Sequence, residues 1–193
     1  MDRLLNKSSI AAPVSLFPQD VWARLDRAAT LLPSRWAPWL SAGGLLQDRI
    51  RAETGEPARV HVIEERIGFL TQEQREMLKA QADSCFHRRI ELRAAGRAFV
   101  YAETLVPDHT LEAHPWLADL GERGLGETLS WRHDVERGPL EVASLPPDHP
   151  LAARALDSAG LTSQALWARR AWYAIDGNRI LVQEVFLPEP RRR

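Results

Sequence analysis

The 193 residues, 45% hydrophobic and 26% charged, suffice for one hydrophobic core and are few for two, so a single domain is expected over residues 19–193. A formal net charge of -1 and a pI near 6.6 leave no chain-wide field to hold nucleic acid or an anionic membrane. One cysteine, Cys85, rules out an intramolecular disulfide and points to a reducing, cytoplasmic setting; no Cys/His spacing suits a metal, and no apolar run of about 18 residues suits a membrane span.

Residues 1–18 read as a poorly ordered lead-in, because Ser8, Ser9, Pro13 and Ser15 break the apolar run too often for a secretory signal. From Gln19-Asp20, the residues Val21, Trp22, Leu25, Ala28 and Leu32 recur at helical spacing until Pro33 and Pro38 redirect the chain. Leu40 to Gly44 forms a joint of the kind a flap needs, and a second helical stripe resumes through Leu45, Leu46, Arg49 and Ile50. Arg59 to Phe69 alternates as a strand. Thr71 to Ala82 is predicted as a helix, capped by Thr71 with Glu73 and Gln74 in its first turn.

His87 to Pro107 reads as two strands joined at Ala95-Gly96-Arg97, with Pro107 to His114 as a turn-rich connection and Trp116 to Gly121 as a short helix. The stretch Gly121 to Gly126, GERGLG, fits neither dinucleotide nor P-loop spacing and reads as a second hinge presenting Leu125. Trp131 to Arg137 is a further strand candidate. Leu140 to Ala153, with Pro146, Pro147 and Pro150, reads as a loop. Leu166 to Pro188 closes the chain as a hairpin about Asp176-Gly177-Asn178. Strands with helices between them in no βαβ rhythm predict an α+β fold with four or more antiparallel strands.

Two charged residues fall out of step with the expected solvent face. Glu184 alternates with Ile180, Val182 and Phe186, and Arg88 alternates with Ile90 and Leu92, so both point toward apolar surface. Burying either alone costs several kcal/mol. A cation and an anion converging within one sheet can hold a small carboxylic acid. Two other arrangements stay open: the pair bonds to itself, or each register differs by one residue and both side chains face water.

The motifs GLLQDRI (Gly44 to Ile50), the strand and turn from Arg88 to Gly96, TLVP (Thr104 to Pro107), LGERGLG (Leu120 to Gly126), LWARR (Leu166 to Arg170) and EVFLP (Glu184 to Pro188) resemble the chorismate–pyruvate lyase family over about residues 40–190. The resemblance implies a single antiparallel sheet with helical flaps closing over an internal ligand site, and no cofactor; such a well-covered sheet permits a monomer, while seven tryptophans leave room for an apolar contact surface. It implies conversion of chorismate into 4-hydroxybenzoate and pyruvate, an early step toward ubiquinone. Arg88 is implied to bind the ring carboxylate and Glu184 the oxygen at the opposite end, while Leu46 and Leu125 close over the ring.

This chain departs from that pattern at Glu103, where the family usually has a second arginine. The charge reversal puts capture of the substrate's second carboxylate in question, with Arg66, Arg169 and Arg170 as candidate substitutes. Gly124, usually proline, and Leu45, usually small and polar, alter both flap hinges. Two other functions fit the same residues: an effector-sensing domain that binds an aromatic acid without turnover, and a lyase that yields a different hydroxybenzoate.

Overall fold

The computed structural model describes residues 22–188, so the expected lead-in over residues 1–18 and the start of the first helix lie outside the described residues. The strands are β1 (Ala23–Arg24), β2 (Arg59–Phe69), β3 (Ser84–Ala94), β4 (Arg97–Pro107), β5 (Val135–Arg137), β6 (Glu141–Leu145), β7 (Leu166–Ile175) and β8 (Asn178–Phe186). They form one antiparallel sheet in the order β1-β6-β7-β8-β4-β3-β2, with β5 pairing with β7 beyond the end of β6. The helices are α1 (Leu25–Ala28), α2 (Ala37–Leu40), α3 (Leu46–Thr54), α4 (Gln72–Leu78), α5 (Asp108–Ala113), α6 (Leu125–Ser130) and α7 (Pro150–Ser158). This is the α+β arrangement that the sequence implies.

Two tight turns set the registers that matter. Ala95 and Gly96 (φ 49° and 73°) join β3 to β4, and Asp176 and Gly177 (φ 49° and 82°) join β7 to β8. Both residues of each turn have positive φ, the two-residue geometry whose twist matches that of paired strands. A bulge between Leu92 and Arg93 shifts the first hairpin by one residue, so Arg88 faces Thr104 and Arg89 faces Glu103. Without it, Arg88 and Glu103 would share a face.

Both faces of the sheet are covered. On one, Trp39, Leu40, Leu46 and Ile50 from α2 and α3 pack against Val60, Leu92, Val100 and Phe186, while Leu125 and Leu129 from α6 pack near Phe86, Val106 and Ile180. On the other, Leu151, Ala152, Ala155 and Leu156 of α7 meet Tyr101, Ala168 and Val185, and Leu78 of α4 meets Cys85, Leu105 and Leu181.

Several elements differ from the sequence expectation. Ala23–Arg24 pairs with Val142 and Glu141 as an edge strand, leaving only one helical turn and a 3-10 turn before Pro33. The helix after Thr71 stops at Leu78, since Lys79 turns left-handed (φ 53°), although the Thr71 and Gln74 capping box is formed. Asp108–Ala113 is a helix rather than a turn, the strand before Gly138 shrinks to Val135–Arg137, and the expected loop from Leu140 to Ala153 contains β6 and the start of α7. Pro150 begins α7 in the first turn, where a missing N–H costs no hydrogen bond.

Candidate active site

Between the sheet and the two flap helices lies a cavity of about 90 Å³. Its floor is Ile90 and Leu92 of β3, Ala102 and Thr104 of β4, and Val182 and Glu184 of β8, alternate residues on one face. Its roof is Leu45, Leu46 and Gln47 at the start of α3 and Gly124, Leu125 and Gly126 at the start of α6. The two flaps touch each other. A Cβ added to Gly124 would fall 2.6 Å from Gln47 Oε1, and one on Gly126 would fall 3.4 Å from a Leu45 methyl. A side chain at position 124 would meet the end of the flexible Gln47 side chain, which would have to shift to admit it.

Three of the four residues singled out from the sequence, Leu46, Leu125 and Glu184, line this cavity together. The fourth, Arg88, lies on the same face beside Thr104 but does not line the cavity directly. It is 2% exposed, and its Nη2 donates to the carbonyls of Gly121 (2.5 Å) and Arg123 (3.3 Å), in the loop that leads to Leu125. Its Nε sits 3.2 Å from Glu65 Oε1, an ion pair at an angle too poor for a hydrogen bond. Burial pushes the pKa of Arg88 down, Glu65 opposes this, and the Arg123 charge adds to the depression.

Glu184 does not bond to Arg88. Its Oε2 accepts from Arg169 Nε at 2.5 Å across the final hairpin. Arg169, 7% exposed, also donates through Nη1 to the carbonyls of Trp39 (3.2 Å) and Ala42 (3.0 Å), and its guanidinium lies 5.8 Å from the centre of the Phe186 ring. It therefore ties the cavity's carboxylate to the joint between α2 and α3. Tyr173, opposite Ile180 on β8, lines the same cavity, and burial, reinforced by the Glu184 charge, pushes its phenol pKa up and keeps the proton on.

Glu103 is not part of this site. The bulge in the β3–β4 hairpin turns it to the opposite face, where it is 2% exposed and accepts from Arg154 at 2.6 and 3.0 Å and from Tyr101 OH at 2.8 Å. Arg66 and Arg170 line a cavity on that same far face, so of the three candidate substitutes only Arg169 stands at the front cavity. Among the described residues no group of three His, Cys, Asp or Glu side chains is placed to hold a metal.

The model of the family described as "Chorismate lyase" matches residues 17–191. The chain belongs to the chorismate lyase family. Its relatives include proteins named "Probable chorismate pyruvate-lyase" from Halorhodospira halophila, 38% identical over 82% of this chain and 87% of that one, and from Thiobacillus denitrificans, 33% identical over 78% and 81%. The effector domain of PhnF from Mycobacterium smegmatis has the same fold, with a TM-score of 0.56 at 13% identity over 74% of this chain and 88% of that one.

Sequence reading left Arg169 as one of three candidate substitutes and missed Tyr173, Thr104 and Gln47. Arg169 had a readable signal. It lies as far before the Asp176-Gly177 turn as Glu184 lies after it, so a two-residue turn sets them opposite each other. Gln47 comes from helix packing that no local pattern records.

Proposed function

We propose that this lyase-family chain is a chorismate pyruvate-lyase, acting in the cytoplasm on chorismate to give 4-hydroxybenzoate and pyruvate at the entry to ubiquinone synthesis. The observation that carries the reading is a flap-roofed, mostly apolar cavity with a carboxylate in its wall and a buried guanidinium on the same face. A flat ring acid with a polar group at each end is the ligand such a space suits.

In this reading Arg88 receives the ring carboxylate. The carboxylate displaces the weaker of its two carbonyl contacts, that to Arg123 at 3.3 Å, while the Gly121 bond persists. Glu184 accepts from the 4-hydroxyl, since Arg169 already donates to it and leaves it the role of acceptor. The C4–H bond and the C3–O ether bond break, the C4 hydrogen passes to the enolpyruvyl methylene, and the ring becomes aromatic as pyruvate leaves. Atoms and electrons balance without an external reductant, oxidant or cofactor. Most of the driving force lies in aromatisation, so the protein's part is to hold the reactive conformer in a dry space. Tyr173, kept protonated, is a donor for the ether oxygen as its charge grows.

Likeness to the PhnF effector domain keeps a sensor reading in view, although identity to the named lyases is far higher. Purified protein mixed with chorismate alone separates the two. Equimolar 4-hydroxybenzoate and pyruvate support the lyase, a different hydroxybenzoate changes the specificity, and tight 4-hydroxybenzoate binding without turnover overturns the lyase reading in favour of a sensor.

A further inference from the structure

Behind the sheet, directly opposite the Glu184 cavity, lies a second opening of about 400 Å³. The two share a floor. Glu103 and Gln183 are cross-strand partners facing the rear, and each neighbours residues that line the front: Ala102 and Thr104 on β4, Val182 and Glu184 on β8. The rear floor is polar and buried, with Glu103 2%, Gln183 4% and Arg170 4% exposed.

Three features of this opening point to a ligand. His87 lines it with an imidazole whose two ring nitrogens are both buried and without a hydrogen-bond partner among the described residues. An unmet buried polar group is unfavourable, and a bound partner would relieve it. Burial holds this imidazole below its ordinary pKa, with the Glu103 charge opposing, so the ring is neutral and offers one donor and one acceptor. Second, Arg154 reaches in from α7 and grips Glu103 through Nε and Nη2, an arrangement that fixes the guanidinium and leaves Nη1 outside the pair. The lining carries Arg66, Arg89, Arg154 and Arg170 against Glu73 and Glu103, and Glu64 and Glu141 beside it pair with Arg66, Arg89 and Arg170, which leaves Arg154 as the arginine placed to take an anion. Third, Phe69 at this opening is 73% exposed, a flat apolar surface with little covering it.

We propose that this rear cavity is a second binding site, for a small aromatic carboxylate. Arg154 takes the carboxylate, His87 and Gln183 meet a hydroxyl or carbonyl on the ligand, and Phe69 covers the ring. Arg170 is the chain neighbour of Arg169, and Gln183 of Glu184, so an occupant is one peptide from the charged groups of the front cavity. The inference does not depend on the reaction assigned there.

The test uses the C2 proton signal of His87, assigned by its loss in His87→Gln, in the full chain titrated with 4-hydroxybenzoate. A saturating shift is expected in the wild type and equally in Arg88→Leu, whose front cavity is impaired. It should vanish in the double variant Glu103→Gln/Arg154→Gln. Arg154→Lys keeps the charge and loses the fork, and should weaken the titration about tenfold. No shift, a shift that disappears in Arg88→Leu, or one unchanged in Arg154→Lys would overturn the site. An equal shift with pyruvate would overturn its aromatic character.

Discussion

Replacing Arg169 with leucine tests whether one side chain holds both Glu184 and the first flap. The substitution removes a 2.5 Å bond to a carboxylate and two bonds to backbone carbonyls, at a position only 7% exposed. Breaking a buried ion pair costs about 3–5 kcal/mol; the Glu184 side chain is 22% exposed and partly re-solvates, so about 3 kcal/mol is expected. For a chain of this size that lowers Tm by about 6–12 °C. Thermal unfolding followed by circular dichroism measures it, alongside kcat and KM for chorismate. Glu184→Gln in the same background should recover about half of the loss, because the carboxylate left without its cation is removed. Arg169→Lys should keep most of the stability but lose turnover, as one ammonium cannot reach the carboxylate and both carbonyls in the same geometry. A Tm drop below about 2 °C with unaltered kinetics would refute the coupling, since surface pairs behave that way.

Glu184→Gln should lower kcat more than it raises KM, whereas Arg88→Ala should worsen both; wild-type kinetics in either variant removes that residue from the site. Gly138→Ala should destabilise by about 1–3 kcal/mol in urea unfolding, because a Cβ there falls 2.2 Å from the Trp172 ring, itself stacked by Arg179. Cys85 is fully buried, and burial pushes its pKa up to about 12, so a thiol reagent at neutral pH should label only unfolded protein; rapid native labelling would contradict this. Burial lowers the folded pKa of His87 and His149, so the unfolded chain binds the extra protons. Their contribution to stability is then whole above the ordinary imidazole pKa and lost as pH falls through it. Urea midpoints should therefore drop between about pH 7.5 and about pH 5.5, and drop less in His87→Gln; an equal drop removes His87 as a contributor.

The sheet was readable where strands were long and bounded by turns with positive φ. Arg88 and Glu184 were assigned a face by alternation alone, and β3 and β8 keep that alternation through nine or more residues. What alternation cannot supply is the partner across the strand. The bulge beside Leu92 decides that Glu103 meets Arg89 and Arg154 behind the sheet instead of entering the front cavity, and nothing around Phe99 or Ala98 announces it. Short elements were lost for another reason. The six residues of α5 and of α6 are too few for helical periodicity to exceed chance, and in α7 the N-terminal proline reads as a breaker when it is in fact the starting residue.

The charged groups of the front site also hold its flaps in place. Arg88 holds the Gly121 and Arg123 carbonyls below the second flap, and Arg169 holds those of Trp39 and Ala42 below the first while clasping Glu184. Opening either flap strips carbonyls from a buried guanidinium, which must then be compensated by its carboxylate partner or by water. On the proposed binding mode a ring acid adds a donor to Glu184 and replaces only the Arg123 contact of Arg88, so the Gly121 bond below the second flap and the Arg169 bonds below the first persist with the ligand in place. On the proposed reaction, 4-hydroxybenzoate keeps both polar ends of the substrate and loses only the pyruvyl group, so it can occupy the same two groups. Flap opening is then expected to be slower than bond cleavage, and a burst of product ahead of the steady state would show it; a linear onset would refute it.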